Sequence, residues 1–448
     1  MSPAPRSEVS RSRIATASCI GTAIEFYDFY IYGTATALVF GKVFFPTVSE
    51  TAGVLASLGS FAVGFVARPV GAVLFGHWGD RIGRKSMLVV SLLMMGLSTV
   101  AVGLVPGYSA IGIWAPVLLV VLRCVQGIGL GGEWGGAVLL STEYAPPGKR
   151  GLYSAFPQLG PALGFILGNG FFLVLSSVMP AGDFVSYGWR IPFLFSSVLL
   201  VVGFYIRMKI AETPVFQAAV DRTERAKVPL FELLRRQPRV LLLSTLSFVL
   251  AHALFYTVTT FCLSLGTSSL GIERTTLLVG LLVAAFVMGV GTLVFAVRSD
   301  GWGRRRLSAA AAVCVIVWAF PLFALLDTRN PVLLTLGFTG GLLCFAMLYG
   351  PMGAYLPELF RVRYRYSGAS LAYSASGIVG GGVVPLIATS LWASTHSTVP
   401  VCLVLMGLGV VSLLCVLALP ETRDHDFTDG LHTGGTGADT AQAARTAG

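Results

Sequence analysis

Gly76-His77-Trp78-Gly79-Asp80-Arg81-Ile82-Gly83-Arg84-Lys85 is a short basic segment between two apolar runs, and its pattern returns as Asp300-Gly301-Trp302-Gly303-Arg304-Arg305. Two further echoes follow in the same order. Glu143 with Arg150 and Gly151 returns as Glu358 with Arg365 and, after a short insertion, Gly368; Ala211-Glu212-Thr213 returns as Pro420-Glu421-Thr422. Three echoes at similar offsets mark the chain as a tandem duplication.

Outward from these segments the chain is apolar. Of its 448 residues 55% are hydrophobic and 12% charged, more apolar surface than a globular core can hide. A membrane-spanning helix needs about 20 mainly apolar residues. Twelve such stretches can be placed, at 14–40, 54–76, 87–105, 113–140, 152–178, 189–209, 239–265, 275–297, 307–327, 331–356, 368–393 and 398–419. The runs are continuously apolar rather than alternating, so they predict helices and not a barrel. The expected fold is an all-α membrane protein with two six-helix halves.

The domain expectation is a cytoplasmic N-terminus (1–13), an N-terminal bundle (14–209), a cytoplasmic linker (210–238), a C-terminal bundle (239–419) and a disordered cytoplasmic tail (420–448). The run after Arg13 is too long for the apolar core of a signal peptide, so the first span is expected to act as an uncleaved anchor. The net charge of +10 suggests a nucleic acid until the cations are placed. With both termini inside, cytoplasmic positions hold 25 of the 31 Lys and Arg. External loops hold Lys42, Arg190, Arg274 and Arg329, and only Arg68 and Arg123 fall inside spans. That is the positive-inside bias expected of a membrane protein, here assigned to the cell inner membrane, and it argues against a nucleic-acid partner. The seven cysteines lie mostly singly in apolar runs with no CxxC spacing, which suits packing rather than metal or redox chemistry.

The Gly76 to Lys85 loop resembles the signature between the second and third helices of the major facilitator superfamily. Glu25-Phe26-Tyr27-Asp28-Phe29, Arg68-Pro69, Arg123-Cys124-Val125-Gln126-Gly127, Gly131-Gly132-Glu133-Trp134-Gly135-Gly136 and Gly188-Trp189-Arg190-Ile191-Pro192-Phe193 are similar to its metabolite:proton symporter branch. Thr36-Ala37-Leu38-Val39-Phe40, Phe44-Phe45-Pro46 and Arg365-Tyr366-Ser367-Gly368-Ala369 look most like its shikimate-carrying members. The resemblance runs from about residue 14 to 422. It implies proton-driven import of a small organic acid or zwitterion by rocking of the two halves, a shikimate-like acid or dicarboxylate being favoured. No cofactor is implied beyond the protons, and no enzyme; the transporter is expected to work as a monomer in lipid. Gly160-Pro161-Ala162-Leu163-Gly164 also partly resembles a drug-antiporter motif, with Phe165 in place of its second glycine, so a proton-coupled exporter is the alternative.

Charges inside spans are costly and usually face a cavity, at roughly 2.5 to 3.5 kcal/mol each on insertion scales. Glu25, Asp28, Arg68, Arg123 and Glu133 all fall in apolar runs. Glu25, Asp28 and Tyr32 share one stripe of the first helix, and Arg123, Gln126 and Glu133 span an arc of about 80° on the fourth. The expectation is that Asp28 takes the proton with Arg123 as its counter-charge, and that Glu25 or Glu133 is the second acid or relay. The resemblance supports this, because in sugar-porter relatives an acid in helix 1 faces an arginine in helix 4. A permanent structural salt bridge is the competing expectation.

Arg123 can instead bind a substrate carboxylate through two parallel hydrogen bonds. Tyr32, Gln126, Trp134, Gln158, His252, Tyr256, Tyr349 and Tyr373 complete the candidate substrate site. Arg68 is left open between gate and cavity. The candidate cytoplasmic gate comprises Gly76, Asp80, Arg81, Gly83, Arg84, Lys85, Glu143 and Arg150, with Asp300, Arg304, Glu358 and Arg365 from the second half. There an acid near a helix N-terminus and an arginine on a carboxylate would latch the inside. Since Arg123 and Glu133 face Phe338 and Leu348 at an offset of 215, the first half is expected to handle proton and carboxylate. The second half would supply apolar, aromatic and hydroxyl contacts.

Overall fold

The computed structural model describes residues 11–82, 84–131, 138, 141–142, 145, 148–211, 230–361 and 364–423. Twelve helical spans follow one another. In the first half they are α1 (Arg11–Ala35, continued by Thr36–Phe40 and Gly41–Phe44), α2 (Glu50–Ile82), α3 (Arg84–Leu104), α4 (Trp114–Leu130), α5 (Arg150–Val178) and α6 (Arg190–Ala211). In the second they are α7 (Pro238–Tyr256, continued by Thr257–Phe261 and Cys262–Ser268), α8 (Arg274–Trp302), α9 (Arg304–Asp327) and α10 (Pro331–Glu358). After these come α11 (Arg365–Gly377, Ile378–Val383 and Val384–Thr395) and α12 (Val399–Ala418). Among the described residues eight helices are long and apolar enough to cross a membrane, and α6 with its bent lead-in makes a ninth. α1 and the shorter apolar segments in α3 and α4 complete the set.

Local chemistry sets the ends. Asn330 caps α10 by accepting from the Val332 and Leu333 amides at 2.9 and 3.3 Å, with Pro331 where no amide partner is needed. Gly303 parts α8 from α9 at φ +96°, a backbone setting that an L side chain resists. A Cβ there would also sit 2.4 Å from the Glu421 carboxylate.

Glycine brings the helices into backbone contact, as expected where lipid supplies no hydrophobic force between them. A Cβ on Gly127 or Gly131 would meet the carbonyls of Gly64 and Arg68 at 2.3 and 2.1 Å, so α4 lies directly on α2. Gly160, Gly164 and Gly168 seat α5 on α1 in the same way. Outward-facing positions such as Val66, Val70, Leu97, Val201, Phe286 and Val290 are exposed, the surface a bilayer covers.

The halves meet along α1 with α7, α2 with α11, and α5 with α8 and α10. α1 and α7 each contain a single π-helical turn, Thr36–Phe40 and Thr257–Phe261. These stand 221 residues apart and touch each other across the seam.

Candidate functional site

Phe61, Phe65 and Arg68 recur on one face of α2, and that face meets α1, α4 and the second half. Arg123 enters from α4 and is fully buried. Gly64 makes the room, since a Cβ there would lie 2.5 Å from Arg123 Nε. The guanidinium carbon stands 4.1 Å from the ring centroids of both Phe29 and Tyr32 and 4.8 Å from that of Phe61, so aromatic faces offset part of the cost of burying its charge. Its Nη1 donates to Gln126 Oε1. Gln126 Nε2 in turn donates to Thr99 Oγ1 at 2.8 Å and to the Asp28 backbone carbonyl at 3.3 Å. Arg123 Nη2 has no hydrogen-bond partner among the described residues.

The expected Asp28–Arg123 pair is not formed. The Asp28 carboxylate is buried and accepts from Ser196 Oγ of α6 at 2.6 Å. Gln126 occupies the position between the acid's backbone and the arginine, while the guanidinium plane is stacked among rings. Acid and base therefore share a polar chain without touching. Glu25 is buried one turn earlier on α1. Tyr32 stacks on Arg123, and its hydroxyl meets Ser60 Oγ at 2.9 Å.

The second half contributes rings and hydroxyls. Tyr256 packs edge-on against Phe65 at 5.2 Å and Phe61 at 5.5 Å, while Phe255 meets Tyr30 at 5.1 Å. His252 lies against Tyr373 at 5.0 Å and has Ser376 Oγ 3.3 Å from its Nδ1. Tyr349 stacks on Phe345 at 4.8 Å. Gln158 belongs to the seam, because its Nε2 donates to the Tyr349 backbone carbonyl at 2.8 Å and so ties α5 to α10.

At the end of the bundle where α5 begins and α8 ends, Asp300 lies against the N-terminus of α5, accepting from the Gly151 and Leu152 amides at 2.8 and 3.3 Å. An acid there meets unpaired amides and the positive end of a helix dipole. Gly151 has no space for a side chain, since a Cβ would be 2.2 Å from the Ala296 carbonyl. Arg304 bridges Asp300 at 2.9 Å and grips Glu358 with Nε at 3.1 Å and Nη2 at 3.3 Å. Arg150 approaches the same Glu358 at 3.8 Å, and Arg365 Nε donates to the Pro357 carbonyl. Glu421 caps α9 through the Arg304 and Arg305 amides at 2.8 and 3.1 Å, and Thr422 Oγ1 donates to Glu358 at 2.7 Å.

Gly83, Glu133, Trp134 and Glu143, with the side chains at Gly76, Asp80, Arg81, Arg84 and Lys85, lie outside the described residues. Sequence reasoning missed Ser196, which nothing marks in a run of small and apolar residues. It also missed the capping role of Glu421, although the Pro420-Glu421-Thr422 echo flagged the segment. Arg68 was placed in no site, and the spacing Phe61, Phe65, Arg68 on one helical face was the available signal.

The family model described as "Sugar (and other) transporter" matches residues 14–240 and 234–429. The inner membrane metabolite transport protein YhjE of Escherichia coli K12 is 45% identical, covering 92% of this chain and 95% of that one. The shikimate transporter of the same strain is 40% identical, over 85% and 87%. The proline/betaine transporter is 33% identical, over 91% and 83%. Among solved structures, the proton:xylose symporter XylE bound to 6-bromo-6-deoxy-D-glucose superposes with a TM-score of 0.71 at 18% identity, covering 92% of this chain and 96% of that one.

Proposed function

Because the chain belongs to the major facilitator superfamily, in its sugar (and other) transporter family and metabolite:proton symporter branch, we propose that this multi-pass metabolite transporter imports a small organic acid together with protons by alternating access. A shikimate-like acid or a dicarboxylate suits the site better than a zwitterion. The observation that carries this reading is Arg123. It is fully buried at the meeting of α1, α2 and α4, has no acid partner among the described residues, and keeps one N–H group unpartnered.

An isolated buried cation is expensive, and a carboxylate is the group that two parallel N–H donors fit. Asp28 supplies the proton site. The Ser196 hydroxyl can donate to the ionised carboxylate or accept from the protonated acid, so both states can be housed without rearranging the helix. Gln126 links the Asp28 backbone to the arginine, so movement of α1 during the transport cycle alters the group that holds the solute. The protein acts as a monomer in the inner membrane with both termini cytoplasmic.

The test is uptake into proteoliposomes under an imposed pH gradient, with the internal side alkaline. Native protein accumulates the acid. Asp28→Asn keeps solute exchange between the two sides but loses pH-driven accumulation; accumulation left intact would remove the coupling role. Right-side-out and everted vesicles decide import against export. The Gly160-Pro161 stretch that raised the export alternative is occupied in seating α5 on α1, where a Gly160 Cβ would meet Thr22 at 2.6 Å.

A further inference from the structure

Two charged residues stand near the two ends of α8, and each reaches into the first half. Asp300 does so at the N-terminus of α5, accepting from the Gly151 and Leu152 amides. Arg274 does so at the opposite end of the same helix, roughly 39 Å away at 1.5 Å per residue. Its guanidinium carbon lies 3.7 Å over the centroid of the Phe184 ring. Phe184 is fully buried, opens the π-helical turn Phe184–Gly188 that follows α5, and packs edge-on against Phe172 of α5 at 6.1 Å. Arg274 Nε is buried and has no hydrogen-bond partner among the described residues, so the ring face is what answers that side of the guanidinium.

Between these ends α8 and α5 come close to backbone contact. A Cβ on Gly289 of α8 would be 3.2 Å from the Ala162 Cβ of α5, near the middle of both helices. Small residues there let one helix tilt on the other without freeing long interlocked side chains. A helix touching its neighbour at the middle and tied to it at each end is a beam on a pivot. Tilting that parts one tie presses the other together.

The two ties differ in kind. Asp300 answers backbone amides and pairs with Arg304 at 2.9 Å, so parting it exposes several polar groups at once. Arg274 over Phe184 needs no matched donor and acceptor, because the ring quadrupole attracts a cation across its whole face. Arg274 is only partly buried, and its charge can return to water when the contact parts.

We propose that Arg274 and Phe184 form a second latch between the halves, closing the end of the transport path opposite Asp300, and that α8 tilts on α5 about the Gly289–Ala162 contact so that one latch opens while the other stays shut. The inference rests on the alternating-access reading and gives it a named closure at the end that is external in the orientation proposed above.

The test places one reporter cysteine at each end of the seam in full-length protein in lipid nanodiscs, which leave both faces accessible. Thr260→Cys reports the Arg274 end. Thr260 is buried in α7, and its hydroxyl is 3.6 Å from where a Gly33 Cβ of α1 would lie. Ser154→Cys reports the Asp300 end, where the buried Ser154 of α5 has its Cβ 3.0 Å from the position of a Gly353 Cβ in α10. Labelling by a charged methanethiosulfonate is read as the gain over the same variant without the reporter.

Arg274→Gln speeds labelling of Thr260→Cys by about fivefold or more, the size of a partly desolvated cation–π contact, and slows that of Ser154→Cys. Phe184→Leu does the same, Arg274→Lys restores part of the native rates, and Asp300→Asn shifts both reporters the opposite way. If Asp300→Asn shifts the reporters and Arg274→Gln does not, the second latch is overturned and alternating access stands. If Arg274→Gln speeds Thr260→Cys without slowing Ser154→Cys, the contact is local packing and the proposal is likewise overturned. Reporters unmoved by either variant overturn both readings.

Discussion

The two halves share a fold and differ in what they bring to its centre. The first buries Asp28, Glu25, Arg68 and Arg123, whereas the second meets them with His252, Tyr256, Tyr349 and Tyr373. The π-helical turns of α1 and α7 show that the backbones stayed alike. Each opens on a buried threonine, Thr36 and Thr257, whose hydroxyl has no partner among the described residues. Duplication thus preserved the hinge-like irregularity that π-turns confer while the charges were kept on one side only. On the alternating-access cycle proposed above, the ionisable groups within one half would stay in fixed register while the other half rocks past them, so charge would be exposed or covered by a moving aromatic wall.

The largest effect should come from removing a charge on the first side. Arg123→Gln is expected to lower the uptake kcat/KM on the order of a hundredfold, as for a lost hydrogen-bonded charge pair. Arg123→Lys should recover little, because a point charge neither stacks on Phe29 and Tyr32 nor forms a fork. The equivalent position in the second half, Phe338, is buried against α8 near Gly280. Phe338→Leu should change uptake by less than about threefold. Equal effects at the two positions would erase the asymmetry.

A second test moves the charge without deleting it. Gly64→Ala places a methyl 2.5 Å from Arg123 Nε, and overpacking of that kind costs about 1 to 3 kcal/mol. KM should rise about tenfold while the protein still folds, if the position of the guanidinium rather than its presence sets affinity. An unchanged KM would show that the arginine can move freely.

The spans, the duplication and the charged stripe were legible because each rests on local chemistry. Apolar length, signature spacing and helical period place Asp28, Arg68 and Arg123 inside the membrane with no knowledge of packing. Their partners were not legible, because partners depend on which helices touch. Ser196 reaches Asp28 across 168 residues of chain, and Gln126 stands where a direct Asp28–Arg123 contact was expected. Gln158 has the composition of a cavity residue but is committed to the Tyr349 carbonyl. The Thr36–Phe40 stretch was noted for its likeness to shikimate carriers. Its echo in Thr257–Phe261, Thr and Phe four apart in both, carried a structural message that composition could not disclose.

At the end of the bundle where α8 meets α9, most of the described charges, Asp300, Arg304, Glu358, Arg365 and Glu421, belong to the second half, with Arg150 from the first, so the asymmetry can be probed there in reverse. Glu358→Ala leaves Arg304 buried with Asp300 alone. Breaking such a pair typically costs about 3 to 5 kcal/mol, which should appear as a clear drop in unfolding temperature. Asp300→Asn is milder, since the amide oxygen can still accept from Gly151 or Leu152. Turnover should fall about fivefold while solute affinity changes less than twofold, measured by uptake and calorimetry on the same preparation. The cause would be a weakened inner closure that shifts the two-state balance. A matching loss of affinity would mean that the latch and the site are one unit.

The smallest effects are expected at the second-half residues of the proposed substrate site. Tyr256→Phe and Tyr373→Phe remove a hydroxyl but keep the ring that packs on Phe65 or His252. Each should alter uptake of the best solute by less than about fivefold, the range of a single neutral hydrogen bond. Their signature is selectivity rather than rate. When acids of different size compete for uptake, the order of preference should change in these variants and stay the same in Gly64→Ala, which weakens every acid through Arg123. If the tyrosine variants instead depress all solutes alike, the second half contributes packing only, and the choice of solute resides with Arg123.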